Sequence, residues 1–311
     1  MTGTRRTGLL LALVTAGISG VAVFLNGYGV KAFGDAAVYT TAKNVVAAAV
    51  LGAVVVLGGI RGSRTSAGSR LTRPTRARQW LGLTAVGVVG GSIPFLLFFE
   101  GLARASSTQA AFLHKTLVLW VAVLAVAVLG ERLSVWHWLA IGLLVLAQAG
   151  LGGGATTLVG SGEAMVLAAT LLWSVEVVVA KRLLGELSSW TLAVARMGLG
   201  STLLVGWLLV SGQAAPLLAM TGSQWAWVLL TGAVLAGYVG TWFAALARAQ
   251  AVDVTAVLVL GALVTAGLAA AVQGQPLTPQ LGWLLLLAGG AGLVVWRMWR
   301  APADAAVATT G

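Results

Sequence analysis

The stretch Phe98–Ser107, "FFEGLARASS", returns at an offset of 144 residues as Trp242–Ala251, "WFAALARAQA". At the same offset, the phrase "LGERLS" that begins at Leu129 aligns with "QGQPLT" that begins at Gln273. Short matches arise by chance in a chain rich in Ala and Leu, but two matches at one offset with no gap between them indicate an internal duplication. We therefore predict that the chain consists of two copies of one structural unit.

The composition is typical of a protein surrounded by lipid. Of the 311 residues, 59% are hydrophobic and only 9% are charged, and the mean hydropathy is +0.97. Soluble domains carry about a quarter charged residues. A chain with so few charges cannot cover a water-facing surface, so we predict an all-α integral membrane protein in the lipid bilayer.

Charge and residue counts exclude several kinds of partner. The net charge of +11 raises the question of nucleic acid, but the basic residues lie mostly between apolar segments, where they set topology. The chain has no Cys and two His, too few for a thiolate or His-rich metal site. We predict no nucleic-acid partner, no metal and no cofactor.

About 20 apolar residues are needed for each membrane-spanning helix. On this basis the sequence predicts ten spans, near 9–30, 37–59, 80–101, 106–129, 134–151, 163–183, 190–210, 224–246, 253–272 and 279–297. The start of the chain, "TRRTGLLLALVTAGISGVA", also has the pattern of a signal peptide. Because apolar sequence continues to Val30 with no clear cleavage signal, an uncleaved first span is favoured.

The distribution of Lys and Arg predicts the orientation of these spans. With the N-terminus in the cytoplasm, fourteen basic residues lie on the cytoplasmic side and two on the outside. We therefore predict a multi-pass protein of the cell membrane with both termini in the cytoplasm. The loop 61–78, "RGSRTSAGSRLTRPTRAR", is predicted to be a flexible cytoplasmic linker that sets topology, with attraction to anionic lipid headgroups as the alternative.

The two halves are predicted to be inverted relative to each other. Each half has five spans, and since five is odd, the halves must cross the membrane in opposite orientations. Lys43 aligns with Arg196 at an offset of 153, and the longer loop of the first half accounts for the difference from 144. Inverted repeats are typical of secondary transporters, whose substrate site lies near the membrane mid-plane where the repeats meet.

Two longer phrases carry a family resemblance. The end of the fourth span, Gly130-Glu131-Arg132-Leu133, followed by "SVWHWLAIGLLVLAQAGL", and the phrase "ATLLWSVEVVVAKRLL" resemble EamA-type transporters of the drug/metabolite transporter (DMT) superfamily. The resemblance implies ten helices in two inverted five-helix repeats, at 9–151 and 163–297, around a central cavity. It also implies transport, usually export, of small metabolites or drugs.

The chain departs from the family pattern in two places. The family often has a proline early in its fourth and ninth helices, which breaks them near the cavity, whereas here these regions read "FLHKTLVLW" and "VLVLGALVT". In the second half, Gln275-Pro276 replaces Glu131-Arg132. Both departures concern the chemistry around the cavity.

Ionisable residues inside predicted spans are the first candidates for a binding site, because each costs about 2.5–3.5 kcal/mol at mid-helix on insertion scales. Lys115 lies about 14 Å into the fourth helix at 1.5 Å per residue; it faces the cavity or pairs with a carboxylate or carbonyl. His114 points about 100° away from it and is a further candidate. Lys43 and Arg196 occupy equivalent positions in the second and seventh helices, which fits a cavity role or helix packing.

Glu176 lies at the depth of Arg196 on the neighbouring antiparallel helix. The sequence predicts an ion pair between them, with proton coupling by Glu176 as the alternative. Glu100 and Arg104 are predicted to form a structural helix pair, and Glu131-Arg132 to stabilise a turn. The deeper aromatic residues Trp120, Trp173 and Tyr238 are candidates for lining the cavity, and most other Trp residues are predicted to form interfacial belts.

The predicted function is secondary active transport of a small metabolite or drug, by alternating access, with export as the expected direction, import as the alternative and protons as a candidate coupling ion. Three deep cations against one deep carboxylate indicate an amino-acid-like or carboxylate-bearing substrate, with Lys115 as the leading contact and Lys43 or Arg196 assisting. A lipid or lipid-precursor flippase is the alternative within transport. A membrane-embedded enzyme is the alternative from another class, but the sequence lacks the clustered His or carboxylates that catalysis would need.

Overall fold

The computed structural model describes residues 2–60, 71–105, 110, 113–151 and 160–300. All regular secondary structure in these ranges is helical. The labelled helices are α1 Thr2–Phe33, α2 Ala36–Ile60, α3 Ala77–Gly91, α4 Ile93–Arg104, α5 Leu117–Leu124, α6 Val135–Leu151, α7 Ser161–Leu183, α8 Ser189–Val210, α9 Gly222–Leu246, α10 Ala251–Leu258, α11 Gly261–Gln273 and α12 Leu281–Arg300. Short helical turns cover Ala125–Leu129, Ala215–Leu218 and Thr278–Gln280.

Eight helices in the described residues are long and apolar enough to cross a membrane, which makes the chain a multi-pass membrane protein. The fourth and fifth predicted spans correspond to two shorter apolar helices, Leu113–Leu129 and Val135–Leu151. Residues 106–109, 111 and 112, which the prediction placed in the fourth span, lie outside the described residues. The all-helical class is confirmed, and the count of ten spans stays a prediction.

The helices of the two halves interlock. Helix α1 packs along α9, α10 and α11, and its repeat counterpart α7 packs along α4, α3 and α5. Helix α2 packs on α9 while α8 packs on α3, and the pairs α2–α8 and α6–α12 each join equivalent helices. Exchanging the two halves therefore turns every one of these contacts into its counterpart, as a two-repeat architecture requires.

The duplication is also visible in the backbone. Gly130 and Gly274, aligned by the offset of 144, both end helices in the left-handed conformation, with φ of 67° and 65°. This conformation favours glycine because a side chain would clash there. The second offset is confirmed as well, since α2 begins at Ala36 and α8 at Ser189, 153 residues later.

Two sides of the bundle can be defined from these contacts. The side on which α1 begins is called the N side; there Arg5 reaches Asp253 near the start of α10, at 3.4 Å. The opposite side is called the far side; there Tyr28 of α1 accepts a hydrogen bond of 2.9 Å from Gln273 at the end of α11.

Six Trp residues predicted to form interfacial belts are 45–57% exposed, namely Trp80, Trp136, Trp138, Trp225, Trp296 and Trp299.

The described part of the predicted basic loop is anchored. Thr72 donates a backbone hydrogen bond of 2.8 Å to Thr191 Oγ1 and accepts one of 3.2 Å at its own hydroxyl from the backbone of Ser188. Residues 71–75 therefore follow the start of α8, where the sequence had predicted a flexible solvated linker. Residues 61–70 of this loop lie outside the described residues.

Among the described residues three spans are interrupted, and one of these three breaks involves proline. Between α3 and α4, Pro94 lacks an N–H, and Ser92 Oγ donates to the carbonyl oxygens of Val88 and Gly87 at 3.0 and 3.2 Å. This side chain satisfies carbonyls that the break leaves without helical partners.

The other two breaks occupy equivalent positions in the repeats. The fourth predicted span is interrupted at Thr116 and the ninth at Val259–Leu260, and Thr116 and Leu260 are 144 residues apart. Thr116 Oγ1 donates to the Leu113 carbonyl at 2.6 Å and accepts from Trp120 Nε1 at 3.1 Å. The helix breaks that the resemblance implied are therefore present here without proline.

Close backbone contact holds the halves together where α3 meets α8. A Cβ atom built on Gly200 would lie 2.5 Å from the Gly91 carbonyl oxygen, and one built on Gly91 would lie 2.9 Å from Gly200 Cα. In lipid, small residues allow such approach and let dispersion forces hold the helices together. By contrast, a Cβ on Gly198, on the same helix, would meet nothing within 4 Å.

We predict that Gly200→Ala destabilises the protein by roughly 1–3 kcal/mol, because the added methyl group forces α3 and α8 apart. The matched variant Gly198→Ala should be neutral or slightly stabilising, since Ala favours helix by about 1 kcal/mol over Gly. Thermal unfolding in detergent measures both. Equal melting temperatures for the two variants would contradict the contact.

Candidate functional site

A buried ion pair joins α7 and α8 near the N-side ends of these two helices. Arg196 Nε lies 2.6 Å from Glu176 Oε1, and Arg196 NH2 lies 3.3 Å from Oε2, so the pair is bidentate. Both residues are buried, with 6% and 2% of their surface exposed. The predicted pair is confirmed, and removing one partner of such a buried pair costs about 3–5 kcal/mol.

The surroundings of this pair fix its geometry. A Cβ on Gly90 of α3 would lie 2.5 Å from Glu176 Oε1, so only glycine leaves room for the carboxylate. The Arg196 guanidinium carbon lies 5.8 Å from the centre of the Phe95 ring on α4. Helices α3, α4, α7 and α8 thus all contribute to one buried polar centre.

Lys43 is the repeat counterpart of Arg196 but has a different partner. Its Nζ donates a hydrogen bond of 3.2 Å to Asn26 Oδ1 and lies 5.0 and 5.6 Å from the ring centres of Tyr39 and Phe99. It is only 4% exposed. Within the described residues no carboxylate lies within 4 Å of Lys43, so its partners are a neutral amide and aromatic rings.

The Asn26 amide connects this lysine to the other half. The Tyr39 hydroxyl lies 2.7 Å from Asn26 Oδ1 and 2.9 Å from Thr231 Oγ1 on α9. Asn26 therefore takes the role that Glu176 has in the second half, without a negative charge. The first-half cation is solvated by dipoles, whereas the second-half cation is neutralised.

Further polar groups on α2 lie next to Lys43. Asn44 is fully buried, and neither its amide oxygen nor its amide nitrogen has a hydrogen-bond partner in the described part of the protein. The hydroxyls of Thr40 and Thr41 are likewise buried without partners there. A buried polar group without a partner costs about 1–3 kcal/mol, so this face of α2 is suited to bind a polar ligand.

An aromatic cluster separates the two cationic centres. Trp173 of α7 packs against Phe95, Phe98 and His114, with ring-centre distances of 5.4, 5.6 and 5.0 Å. Its Nε1 donates to the Gly90 carbonyl at 3.1 Å. His114 Nδ1 is buried and has no partner among the described residues.

Helix α4 links most of the predicted site residues. Phe95 contacts Arg196 and Trp173, Phe98 contacts Trp173 and His114, and the neighbouring Phe99 lies over Lys43. These contacts connect five of the eight candidates, namely Lys43, His114, Trp173, Glu176 and Arg196.

The three remaining candidates have other surroundings. Lys115 follows His114 and, in the described residues, has no carboxylate within 4 Å. Trp120 is held by Thr116 at the helix break. Tyr238 stacks on Trp242 of the same helix with ring centres 6.1 Å apart, and it lies close enough to the Glu176–Arg196 pair to interact electrostatically with both residues.

Sequence reasoning missed the neutral members of the site. Asn26, Thr40, Thr41 and Asn44 carry no charge, and attention to buried charges passed over them. The signal was nevertheless present in the segment "TTAKN" at 40–44, where four polar residues interrupt an apolar span.

The predicted helix pair of Glu100 and Arg104 is exposed and is confirmed, with 2.9 Å between Oε2 and NH2.

Comparison with protein families decides the identity of the fold. The model of the EamA-like transporter family matches residues 6–152 and again residues 160–297. The chain belongs to the EamA-like transporter family. It is accordingly an EamA-type member of the DMT superfamily, as the sequence resemblance indicated.

Solved structures share this fold. Twenty-eight chains of solved structures match this one. One of them, described as "Crystal structure of protein", superimposes with a TM-score of 0.73 at 18% identity, covering 92% of this chain and 97% of its own. At this identity the likeness shows the fold alone. A comparison with curated proteins finds no match.

The EamA motif at the end of the fourth predicted span caps a helix of the other repeat. Glu131 Oε1 accepts a hydrogen bond of 2.8 Å from Ala251 N, and Oε2 accepts one of 3.4 Å from Val252 N, the first two residues of α10. Burial raises the pKa of Glu131 above its ordinary value, and these two N–H donors offset part of the rise. The motif residue therefore connects the repeats as well as stabilising a turn.

Lys181 secures the other end of the same connection. Its Nζ donates to the carbonyl oxygens of Leu246 and Ala249 at 2.7 and 2.6 Å, where α9 ends. The sequence had counted this residue only as an orientation signal. In the structure, Lys181 and Glu131 hold the turn between α9 and α10 from both sides.

We predict that Glu131→Ala lowers stability by about 1 kcal/mol, since α10 loses its capping acceptor. Glu131→Gln should retain most of the stability, because the amide oxygen still accepts a hydrogen bond, as Gln275 at the equivalent position also could. Thermal unfolding followed by Trp fluorescence measures the change. Glu100→Ala is the control; it removes an exposed pair that contributes little. A Gln variant as unstable as the Ala variant would contradict capping.

Proposed function

We propose that this EamA protein is a secondary active transporter that moves a small metabolite bearing a carboxylate or another anionic group across the cell membrane. The observation that supports it most strongly is the buried Lys43, which no described carboxylate neutralises. An anion bound there would supply the missing negative charge. Asn44, Thr40 and Thr41 would supply hydrogen-bonding groups beside it.

The ion pair narrows the set of substrate-binding cations. Because Glu176 neutralises Arg196, the surplus of positive charge inside the bundle belongs to Lys43 and Lys115. Isolated charge in hydrocarbon costs about 2.5–3.5 kcal/mol on insertion scales, so a lysine with no carboxylate is stabilised by whatever anion enters the site. We therefore propose Lys43 as the leading contact in place of Lys115, which the sequence had favoured. Lys115 and the aromatic cluster are further parts of the binding region.

The family and the repeat support transport rather than catalysis. Transport is the property for which the EamA-like family is named. The interlocking of two equivalent repeats is the architecture that alternating access uses, with the site at the interface of the repeats. Export is the expected direction for this family, and protons are the proposed coupling ion.

A lipid substrate is the second candidate. An open groove with a volume of about 400 Å³ lies on the outer face of α5 and α6 and is lined by apolar residues that include Leu119, Trp138, Ile141 and Leu146. Such a groove suits an acyl chain. If the substrate is a lipid, lysophospholipids should compete for transport and small carboxylates should not.

We propose that the N side of the bundle faces the cytoplasm, because basic residues concentrate there. The wild-type chain has no Cys, so a single introduced thiol can be followed. Ser66→Cys, in the segment outside the described residues, should react with a membrane-impermeant maleimide only in inside-out vesicles. Reaction in intact cells would overturn the orientation.

Competition in proteoliposomes tests the anion site. Carboxylates should compete for uptake, and Lys43→Ala should weaken their competition about 10-fold or more, the size expected for one charge-assisted hydrogen bond. Amides of the same carbon skeletons should be affected less. Lys31→Ala, which removes an exposed lysine at the far end of α1, is the matched control. Efficient transport of permanent cations without competition by carboxylates would exclude the anion site.

The same assay with an imposed pH gradient tests coupling through Glu176. This role requires the pair with Arg196 to separate during the transport cycle. Glu176→Gln should then abolish gradient-driven uptake while leaving substrate exchange measurable. Gradient-driven uptake at the wild-type rate would leave Glu176 a structural residue.

A further inference from the structure

A second buried ionisable group lies on the N side, away from the proposed substrate site. His137 of α6 and Asp253 of α10 are 2% and 1% exposed, and His137 Nε2 lies 3.1 Å from Asp253 Oδ1. Arg5 of α1 reaches the other carboxylate oxygen at 3.4 Å, and Arg297 of α12 contacts both His137 and Ser134. These five residues, called the N-side cluster, join helices of both repeats.

The hydrogen bonds indicate which imidazole nitrogen of His137 carries the proton. The Ser134 backbone N–H donates to His137 Nδ1 at 3.1 Å, whereas Arg297 NH1 lies 2.6 Å from Nδ1 and 3.4 Å from Nε2 and therefore packs against the ring. An N–H donor needs an acceptor opposite it, so Nδ1 carries a lone pair and no proton. In the neutral ring the proton is then on Nε2, which donates to Asp253.

We infer that His137 is a proton-binding site that controls the contact between α12 and α6 on the N side. A proton that binds Nδ1 replaces its lone pair with an N–H group. This N–H would face the Ser134 N–H, which cannot accept it, and the ring would gain a positive charge in direct contact with the Arg297 guanidinium. Repulsion between the two cations therefore expels Arg297 and frees the N-side end of α12, whereas the bond from Nε2 to Asp253 persists.

The charges around the ring act in the same direction. In the described residues, the charged groups in this region are Arg297 on α12 and Asp253 on α10, which contact His137, and Arg5 on α1, Glu131 in the turn before α6 and Lys181 on α7, which interact with Asp253. Three are cations and two are carboxylates. A proton on His137 adds positive charge to a cluster that already has an excess of it, and the nearest cation, Arg297, is on the helix that is released.

The helix pair involved joins the two repeats. Helices α6 and α12 are equivalent in the repeats and pack against each other along their length, with a Cβ on Gly290 lying 3.2 Å from the Ala140 carbonyl oxygen. Releasing one end of this pair opens the seam between the repeats on the N side. The inference rests on the proposed function in one respect only, the orientation of the protein. Because the N side is proposed to face the cytoplasm, acidification of the cytoplasm is the signal.

Distance measurement between two spin labels tests the inference. Cysteines replace Val135 and Trp296, which are 72% and 46% exposed and lie near the N-side ends of α6 and α12. The chain has no other thiol. In liposomes at about pH 7.5 we expect one short inter-label distance, and at about pH 5.5, within the range where histidine changes charge, we expect a second, longer distance.

Variants identify the group responsible. His137→Gln keeps a donor and an acceptor but cannot titrate, so it should show the short distance at both pH values. His114→Gln, which alters the only other histidine, should retain the wild-type shift. Arg297→Gln should show the longer distance already at about pH 7.5, which tests the inference independently if His137→Gln does not fold.

Three results would overturn the inference: no shift in the wild-type background, a full shift in His137→Gln, or a short distance at both pH values in Arg297→Gln. A shift that survives in His137→Gln but is lost in Asp253→Asn would assign the proton to the carboxylate instead. The measurement needs no substrate, so its outcome is independent of whether the transport assay succeeds.

Discussion

Each repeat buries its first helix, α1 or α7, mainly against helices of the other repeat, and most of the structure depends on this constraint. Helix α1 finds its partners in α9, α10 and α11, and α7 finds its own in α3, α4 and α5. In lipid the hydrophobic effect gives little force between helices, so close packing and internal hydrogen bonds must hold them. The contact between Gly91 and Gly200 and the pairing of α6 with α12 supply that packing between the repeats.

The same constraint places the buried polar groups. Glu131 of the first repeat caps α10 of the second, Lys181 of the second holds the end of α9, and His137 of the first binds Asp253 of the second. Without water, each of these groups needs a protein partner. On the N side most of those partners are in the other repeat, so that any motion of one repeat against the other must break or exchange these bonds.

The sequence predicted two kinds of feature: the helices that recur in both halves, and the charged residues that lie within spans. The two offsets located equivalent helices, and equal depth on antiparallel helices was enough to pair Glu176 with Arg196. It did not predict contacts between distant segments, such as the cap that Glu131 gives to α10, because spacing along the chain says nothing about which helix end meets which turn. Breaks at Thr116 and Leu260 were missed for another reason: they involve no proline, and a Thr hydroxyl satisfies the backbone at the first of them.

The repeats are alike in backbone and unlike in charge, and this difference bears on the transport cycle. Arg196 is neutralised by Glu176, whereas its counterpart Lys43 is held by the neutral amide of Asn26. Exchanging the conformations of two identical repeats would give states of equal energy, but exchanging these two does not, because only one of the two cations has a carboxylate. An anion bound at Lys43 removes much of this difference, so binding itself would bring the two states closer in energy. In the proposed mechanism, the charge asymmetry thus connects anion binding at Lys43 to alternation between the states.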